Sequence, residues 1–410
     1  MNLWKLHTST KLVLWCLLLM ALTSCVEEFE TDSIKFEQLL VVDGNISDQV
    51  KQHAIHLNYT IPMDGNLAQQ NAPATGASVW VEDNLGNKTY FTELEPGSYY
   101  SPNDFGGVIG RSYQLFISTA EGKNYQTPPQ EMMSAPEISN IYNRFSIELG
   151  DGESTYYPGV QFFVDVADAA SSTQFYRYEW NDAHQVTARY TKNLDAVLQT
   201  NGSYKVVPFT LNVKECYRES RFNKIILATS TNSSNGELLE VPIKFSQAED
   251  FDVTTMYSIE VTQRAISAEA YSYFRKIKEF NESNGSLFDK QQGTVLGNVV
   301  SVENPDEKVL GYFEVSGTSS KRVFLQLSDL DPQVLDHIIY PCTVFHIKEF
   351  EGDLRDFYNA TDVDESIRHQ ETVLRSFYEI FDQFGRWHLA HRHCVDCRYR
   401  GSLGKPDYWP

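Results

Sequence analysis

Short runs of alternating apolar and polar residues, separated by closely spaced turn residues, most limit the fold of this 410-residue chain. In residues 77–81 (ASVWV) every second side chain is apolar and shares one face, and residues 113–117 (YQLFI) repeat the pattern. This period of two is that of a half-buried β-strand. Turn residues such as those at 43–45 (DGN) and 95–97 (EPG) separate the runs. The chain is therefore predicted to be mainly β.

The spacing of these runs predicts two β domains. About seven short strands in residues 39–133 are typical of an immunoglobulin-like β-sandwich. Residues 134–347 are predicted to form a larger β domain. A helix near residues 267–282 interrupts it, with Ser267 as a suitable N-terminal cap.

A second helix is predicted over about residues 364–384. Val373, Phe377 and Phe381 recur there at helical spacing, and Gly385 is suited to end the helix. Residues 348–410 are therefore predicted to contain a helical segment followed by a C-terminal tail.

Leu22-Thr23-Ser24-Cys25 has the form of a lipobox at the end of a secretory signal. The apolar core of that signal is the run 12–22, preceded by Lys5 and Lys11. This run is too short to span a bilayer, which needs about 20 apolar residues. A plain membrane-anchoring helix is thus the disfavoured alternative. Residues 1–24 are predicted to be a lipoprotein signal peptide, with Cys25 carrying the lipid (palmitate) that anchors the chain to a membrane.

An acidic stretch follows this cysteine, with four acids in residues 26–32 (VEEFETD). It resembles the surface-export signal of Bacteroidota lipoproteins, which implies an outer-membrane protein exposed at the cell surface. A solvated tether over residues 25–38 is the alternative, and the two are compatible. The net charge of −21 excludes nucleic-acid binding through phosphates, which requires clustered Lys and Arg.

Four cysteines remain once Cys16 leaves with the signal and Cys25 takes lipid: Cys216, Cys342, Cys394 and Cys397. In an oxidising compartment two disulfides are expected, with three possible connectivities. A bond within residues 394–397 would close a tight ring. We therefore expect each tail cysteine to pair with Cys216 or Cys342, and either pairing ties the tail to the body.

Six short motifs occur in order along the chain: residues 40–48 (LVVDGNISD), 76–79 (GASV), 285–289 (GSLFD), 297–299 (GNV), 309–313 (VLGYF), and the tail from CVDC at 394–397 to KPDYW at 405–409. Together they resemble an uncharacterised family of Bacteroidota lipoproteins with a domain of unknown function. The resemblance spans essentially the whole mature chain, except residues 349–391. Members are often encoded beside TonB-dependent outer-membrane receptors, which implies a surface partner of such a receptor. The family supplies no catalytic residues.

Five potential metal ligands lie within ten positions: His388, His391, His393, Cys394 and Cys397. A Cys-x-x-Cys pair with a nearby histidine has spacing that zinc can use. Exported cysteines tend to oxidise. Disulfides with exposed histidines are therefore expected, without a metal or other cofactor, and zinc is the weaker alternative.

Residues 43–48 (DGNISD) have alternating oxygen donors, as a calcium loop does. Asp48 stands where that loop needs glycine, and Ala54 stands where it needs a bidentate glutamate. A turn between two strands is predicted there instead, stabilised by Asp43 and Asn45.

No local catalytic motif of the nucleophile-elbow, zincin, phosphate-loop or dinucleotide type is present. The chain is therefore predicted to be non-enzymatic, and to assist a TonB-dependent receptor in substrate capture or uptake. Two alternatives stay open. One is a surface-polymer hydrolase whose two carboxylates are brought together by the fold, and the other is a structural or adhesive module. The aromatic pairs at 99–100, 156–157 and 408–409 adjoin turn-like residues and are candidates for exposure.

Overall fold

A computed structural model describes residues 37–62, 72–150, 155–166, 175–192, 194–198, 200, 204–221, 224–231, 236–248, 255–282, 294–338, 342, 344–347, 375–379 and 387–410. The predicted signal peptide and lipobox and residues 285–289 lie outside this part. Residues 39–60 and 71–410 belong to one compact unit, and residues 1–38 and 61–70 to another. Within the described ranges, none of the helices has the length and apolarity needed to cross a bilayer.

Twenty-three strands are described, which confirms the mainly β class. The first eleven are β1 (Leu40–Ser47), β2 (Ala54–Tyr59), β3 (Ala72–Pro73), β4 (Ser78–Asp83), β5 (Lys88–Glu95), β6 (Ser98–Tyr100), β7 (Ser112–Ser118), β8 (Asn124–Gln126), β9 (Gln130–Glu131), β10 (Asn140–Leu149) and β11 (Tyr156–Val166). The others are β12 (Phe175–Thr187), β13 (Leu194–Leu198), β14 (Tyr204–Pro208), β15 (Glu215–Arg221), β16 (Ile226–Thr229), β17 (Leu238–Gln247), β18 (Met256–Ala265), β19 (Val300–Ser301), β20 (Val309–Leu325), β21 (Val344–Ile347), β22 (Arg375–Glu379) and β23 (Trp387–His391).

The described helices are few and mostly short. They are α1 (Ala268–Glu282), α2 (Pro332–Leu335) and α3 (Arg392–Val395), with the 3₁₀ helices η1 (Leu327–Asp329) and η2 (Cys397–Tyr399). The helix predicted near 267–282 is confirmed as α1. The Ser267 hydroxyl accepts a hydrogen bond of 3.1 Å from the backbone N–H of Ala270, as expected of a cap.

One large mixed sheet organises the chain, in the order β15-β12-β18-β20-β1-β2-β6-β5-β4-β7-β8-β19. Strands β16, β3 and β9 join it beside β12, β2 and β7, and β10-β11-β17 form a separate sheet. The other sheets are β13-β14 and β21-β23-β22. Every pairing recorded between described strands is antiparallel except β1 with β20. A parallel pair needs a long connection, and here strands β2 to β19 lie between its two strands in sequence.

Two large hydrophobic cores are present among the described residues of the large unit, beside smaller clusters. In the first, Val79 and Val81 are 1 % exposed, as the period-two pattern predicts. Phe313 and Val315 of β20 pack into the same core. Strand β20 thus completes a core whose other residues come mostly from the first 132 residues. The predicted domain boundary at 133/134 stays a prediction.

The second core lies between the sheet β10-β11-β17 and the strands β12, β18 and β20 of the large sheet. Phe162 from the first of these and Tyr178 and Tyr257 from the second are fully buried in it. The Phe162 and Tyr257 rings stack with their centroids 5.3 Å apart. The wall of large aromatics on β12 and β18 sets the position of the polar side chains described below.

The turn predicted at residues 43–45 is wrong, because these residues lie inside β1. This strand pairs with β2 on one side and β20 on the other. A Cβ on Gly44 would lie 2.9 Å from Ile55 Cγ1. Glycine at this position allows the neighbouring strand to approach closely, which is a common role of glycine within a sheet.

The motifs at 297–299 and 309–313 meet in one tight crossing. Gly311 has φ +85°, and a Cβ there would lie 2.0 Å from the Val42 carbonyl oxygen. A Cβ on Gly297 would lie 1.5 Å from the Gly311 carbonyl oxygen. The Asn298 side chain accepts from the Phe313 N–H at 2.9 Å and donates to the Phe313 carbonyl at 2.8 Å. The crossing therefore leaves no room for a side chain at Gly297 or Gly311, and it uses the amide of Asn298 for two hydrogen bonds. These contacts explain the glycines and the asparagine of the two motifs structurally.

The second predicted helix, over 364–384, is wrong in its described part. Residues 375–379 form β22, which pairs with β23 in an antiparallel sheet. The rest of that segment lies outside the described residues. Aromatic residues at short intervals suit both a helix face and a strand, and here the pairing partner β23 is supplied by residues farther along the chain.

Candidate functional site

The C-terminal tail is tied to the body by two disulfides. They join Cys216 to Cys397 and Cys342 to Cys394, with Cα–Cα distances of 5.4 and 5.6 Å. Each tail cysteine therefore pairs with a body cysteine. Cys216, Cys394 and Cys397 are completely buried.

Backbone and aromatic contacts hold the same tail along the edge strand β15. Tyr217 and Ser402 exchange two backbone hydrogen bonds of 2.8 and 2.9 Å. Trp409 is 7 % exposed and packs edge-on against Tyr217 and Phe324. Tyr408 donates a hydrogen bond of 2.6 Å to Glu219. The tail thus covers the open edge of the large sheet, where unpaired backbone groups would otherwise invite association with other chains.

The predicted metal ligands do not form a thiolate site in this structure. Cys342, His393 and Cys394 come within 4.8 Å of one another, but the two sulfurs are bonded to each other. Cys397 is bonded to Cys216. His388 and His391 lie on β23, and their side chains are outside the described part. Cys25 and residues 26–36 are also outside it.

The aromatic pairs at 99–100, 156–157 and 408–409 differ in exposure. Tyr156 and Tyr157 are 64 and 36 % exposed at the end of the β10–β11 hairpin. Tyr99 is completely buried in the first core. Trp409 is nearly buried against Tyr217 and Phe324, but its neighbour Tyr408 is 38 % exposed. Of the three pairs, only the hairpin pair therefore has both residues exposed.

A cleft lies between helix α1 and the segment that leads into β16. Its volume is about 470 Å³, and its lining residues are Arg177, Lys224, Ile225, Phe274, Lys278, Asn281 and Glu282. A second cleft of about 360 Å³ shares Lys224, Ile225, Lys278 and Glu282 with the first, and extends to Trp180 and Lys244. Volumes of several hundred Å³ are typical of small-molecule sites. We call the two together the α1 cleft.

Arg177 is fixed in the wall of the α1 cleft by a buried charge network. Its Nε donates to Glu314 at 2.7 Å, and its Nη1 lies 2.8 Å from Glu179. Its guanidinium carbon lies 4.9 Å from the centroid of the Phe274 ring on α1. Arg264 joins the same carboxylates, 3.1 Å from Glu179 and 3.8 Å from Glu314. The network therefore couples β12, β18 and β20 to the position of α1.

Glu314 is the centre of this network. Its side chain is 2 % exposed, and the Ser316 hydroxyl donates to it at 2.9 Å. Burial alone would raise its pKa, but the charges of Arg177 and Arg264 and the hydrogen bonds hold the pKa below its ordinary value. Glu314 is thus ionised inside the protein at neutral pH.

A second buried cluster consists of Lys244, Asp182, His184 and Tyr257. The Lys244 ammonium contacts Asp182 and lies 4.6 Å from the centroid of the Trp180 ring. Tyr257 donates to the same Asp182 oxygen at 3.0 Å, and His184 Nε2 lies 3.6 Å from it. Burial would raise the pKa of Asp182, but the hydrogen bond from His184 and the charge of Lys244 lower it to about 2. Burial also lowers the pKa of Lys244, against the pull of Asp182.

Sequence reasoning missed both clusters. Asp182 and His184 are two residues apart and so share a face of β12, which is a signal that the sequence contains. Lys244 and Glu314 give no such signal, because a single charge in a strand is usually solvated. Their partners lie on strands far away in the sequence.

The chain resembles one family over most of its length. The model of the family described as "Domain of unknown function (DUF4249)" matches residues 26–322. No curated protein matches the sequence. One solved structure is described as "Complete structure of manganese lipoxygenase of Gaeumannomyces graminis and partial structure of zonadhesin of Komagataella pastoris". It is 11 % identical, with 56 % of this chain and 89 % of that chain covered and a TM-score of 0.14, a likeness too weak to support any statement on fold or function.

Proposed function

This chain belongs to the family described as domain of unknown function (DUF4249), and we propose that it is a lipid-anchored, non-enzymatic protein of the outer-membrane surface. In this proposal it assists a TonB-dependent receptor by capturing the receptor's substrate. The α1 cleft has a volume suited to such a ligand.

The observation that carries the exported location is the pairing of Cys216, Cys342, Cys394 and Cys397 in two disulfides. Disulfides persist in oxidising compartments and are rare in the cytosol. The lipobox ending at Cys25 supports membrane anchorage. The acidic residues 26–32 support surface exposure, and the resemblance to lipoproteins encoded beside TonB-dependent receptors supports the partner.

Anchorage depends on one side chain in this proposal. The Cys25→Ala variant is expected to lose nearly all labelled palmitate and to move from the membrane fraction to the soluble fraction, because no lipid can then attach. Cell fractionation and palmitate labelling measure both effects. Cys16→Ala is the matched control, since Cys16 lies in the apolar run of the signal and is removed with it. A Cys25→Ala protein that still carries palmitate and sediments with the membrane would contradict the proposal.

Surface exposure and the receptor partnership are separate parts of the proposal. Intact cells treated with a protease too large to cross the outer membrane should lose the protein if it faces the medium. Co-purification of a TonB-dependent receptor with the detergent-extracted protein tests the partnership directly.

A further inference from the structure

We propose that the α1 cleft binds an amphipathic organic anion, whose acidic group lies between Lys224 and Lys278 and whose apolar part lies against Phe274 and Ile225. The proposal names the class of ligand that the protein would capture for the receptor. It rests on the proposed function only in assigning the ligand to that receptor. Binding itself requires no receptor.

The sign of the ligand follows from the charges of the cleft. The whole chain has a net charge of −21, yet the first chamber is lined by two lysines against one acid, besides Arg177, which is already ion-paired. Lys224 is exposed and has no ion-pair partner among the described residues. Lys278 reaches Glu282 only at 3.9 Å, and both side chains are well exposed, so this pair is weak. A locally positive concavity in an acidic surface concentrates anions there.

Arg177 has a different role from the two lysines. Glu314 and Glu179 already neutralise its guanidinium. It therefore adds no free charge for a ligand, but it fixes the Phe274 ring through the cation–π contact of 4.9 Å. Phe274 packs in the cluster formed by Ile266, Ala270 and Tyr312. The apolar wall is thus held in place before any ligand arrives.

The second chamber extends this apolar wall. Trp180 and Phe245 line it together with Ile225. This chamber adds one lysine, Lys244, which Asp182 neutralises, and one acid, Glu148, which is outside the part shared with the first chamber. The combined cleft therefore offers charge at the shared part, around Lys224 and Lys278, and apolar or aromatic contact on either side. This arrangement fits an anionic group attached to one or more rings or to a short hydrocarbon chain.

The proposal is tested by isothermal titration of the full-length Cys25→Ala protein with 2-naphthoate and with 2-naphthalenemethanol. The two probes share the ring system, and only the first carries a negative charge. We expect 2-naphthoate to bind at least tenfold more tightly than the alcohol. The paired change Lys224→Glu with Lys278→Glu should weaken naphthoate binding at least tenfold.

Lys276→Glu is the matched control, because Lys276 is exposed on the same helix but does not line the cleft. It should change the affinity for naphthoate less than twofold. Phe274→Ala should weaken both probes, and circular dichroism checks that each variant is folded. Absent naphthoate binding, equal affinity for the two probes, or equal loss in the Lys276→Glu control would each overturn the proposal. Naphthoate binding without receptor co-purification would instead retain this inference and refute the proposed partnership.

Discussion

Replacing Glu314 by glutamine is expected to lower the free energy of unfolding by about 3–5 kcal/mol, the usual cost of breaking a buried ion pair from one side. Glu314 lies between Arg177 and Arg264, whose side chains are 12 and 5 % exposed. Without its charge, both guanidinium groups depend on Glu179 alone. An insufficiently compensated buried charge is more costly than a missing pair. Urea unfolding at neutral pH, followed by tryptophan fluorescence, measures the loss.

Glu279→Gln is the matched control, because Glu279 and Arg275 form an exposed pair on α1 that contributes little. The effect also has a pH dependence. Since folding lowers the pKa of Glu314, the stabilisation is complete above its ordinary value of 4.5. It is lost as the pH falls through the lower pKa of the folded protein. A Glu314→Gln protein as stable as the control at neutral pH would show that the network does not hold the fold together.

Removing the Cys216–Cys397 disulfide by the double change to serine is expected to cost about 2–5 kcal/mol. The bond joins residues 181 apart in sequence, so in the chain-entropy model its loss frees a long loop of the unfolded chain. Both cysteines are also completely buried, which adds the cost of placing hydroxyl groups in an apolar site. Thermal unfolding should show a clearly lowered midpoint.

The Cys342–Cys394 pair is the internal comparison, because it closes a shorter loop of 52 residues. Its loss is expected to lower the stability by less. Loss of the longer bond should also loosen Trp409 from Tyr217 and Phe324, which its fluorescence reports. Equal stability of the Cys216→Ser/Cys397→Ser protein and the unchanged protein would contradict the view that the tail is pinned to the body.

The features that local chemistry determines were predictable from sequence. The alternation in residues 77–81 correctly gave strand β4 and its buried face. Ser267 and the apolar spacing after it gave α1. The strain of a ring within residues 394–397 gave the attachment of both tail cysteines to the body. Each of these inferences uses residues within about one turn or one strand of each other.

Features that depend on distant partners were not predictable. Gly44 was assigned to a turn, because its need for close packing arises only from Ile55 on the neighbouring strand. Glu314 has its partners on β12 and β18, and Arg177 is 137 residues away from it in sequence. The α1 cleft combines residues from β12, the β16 segment and α1. The residue pattern within each of these segments does not predict that the three segments are in contact.

Mild detergent extraction of native membranes tests the proposed partnership with a TonB-dependent receptor most directly. The protein, tagged at its C-terminus, is pulled from the extract, and the co-purifying proteins are identified by mass spectrometry beside an untagged control. The proposal predicts a TonB-dependent receptor in stoichiometric amount, present only with the tagged protein. Recovery of the tagged protein alone would contradict the proposed partnership and favour a surface hydrolase or an adhesive module.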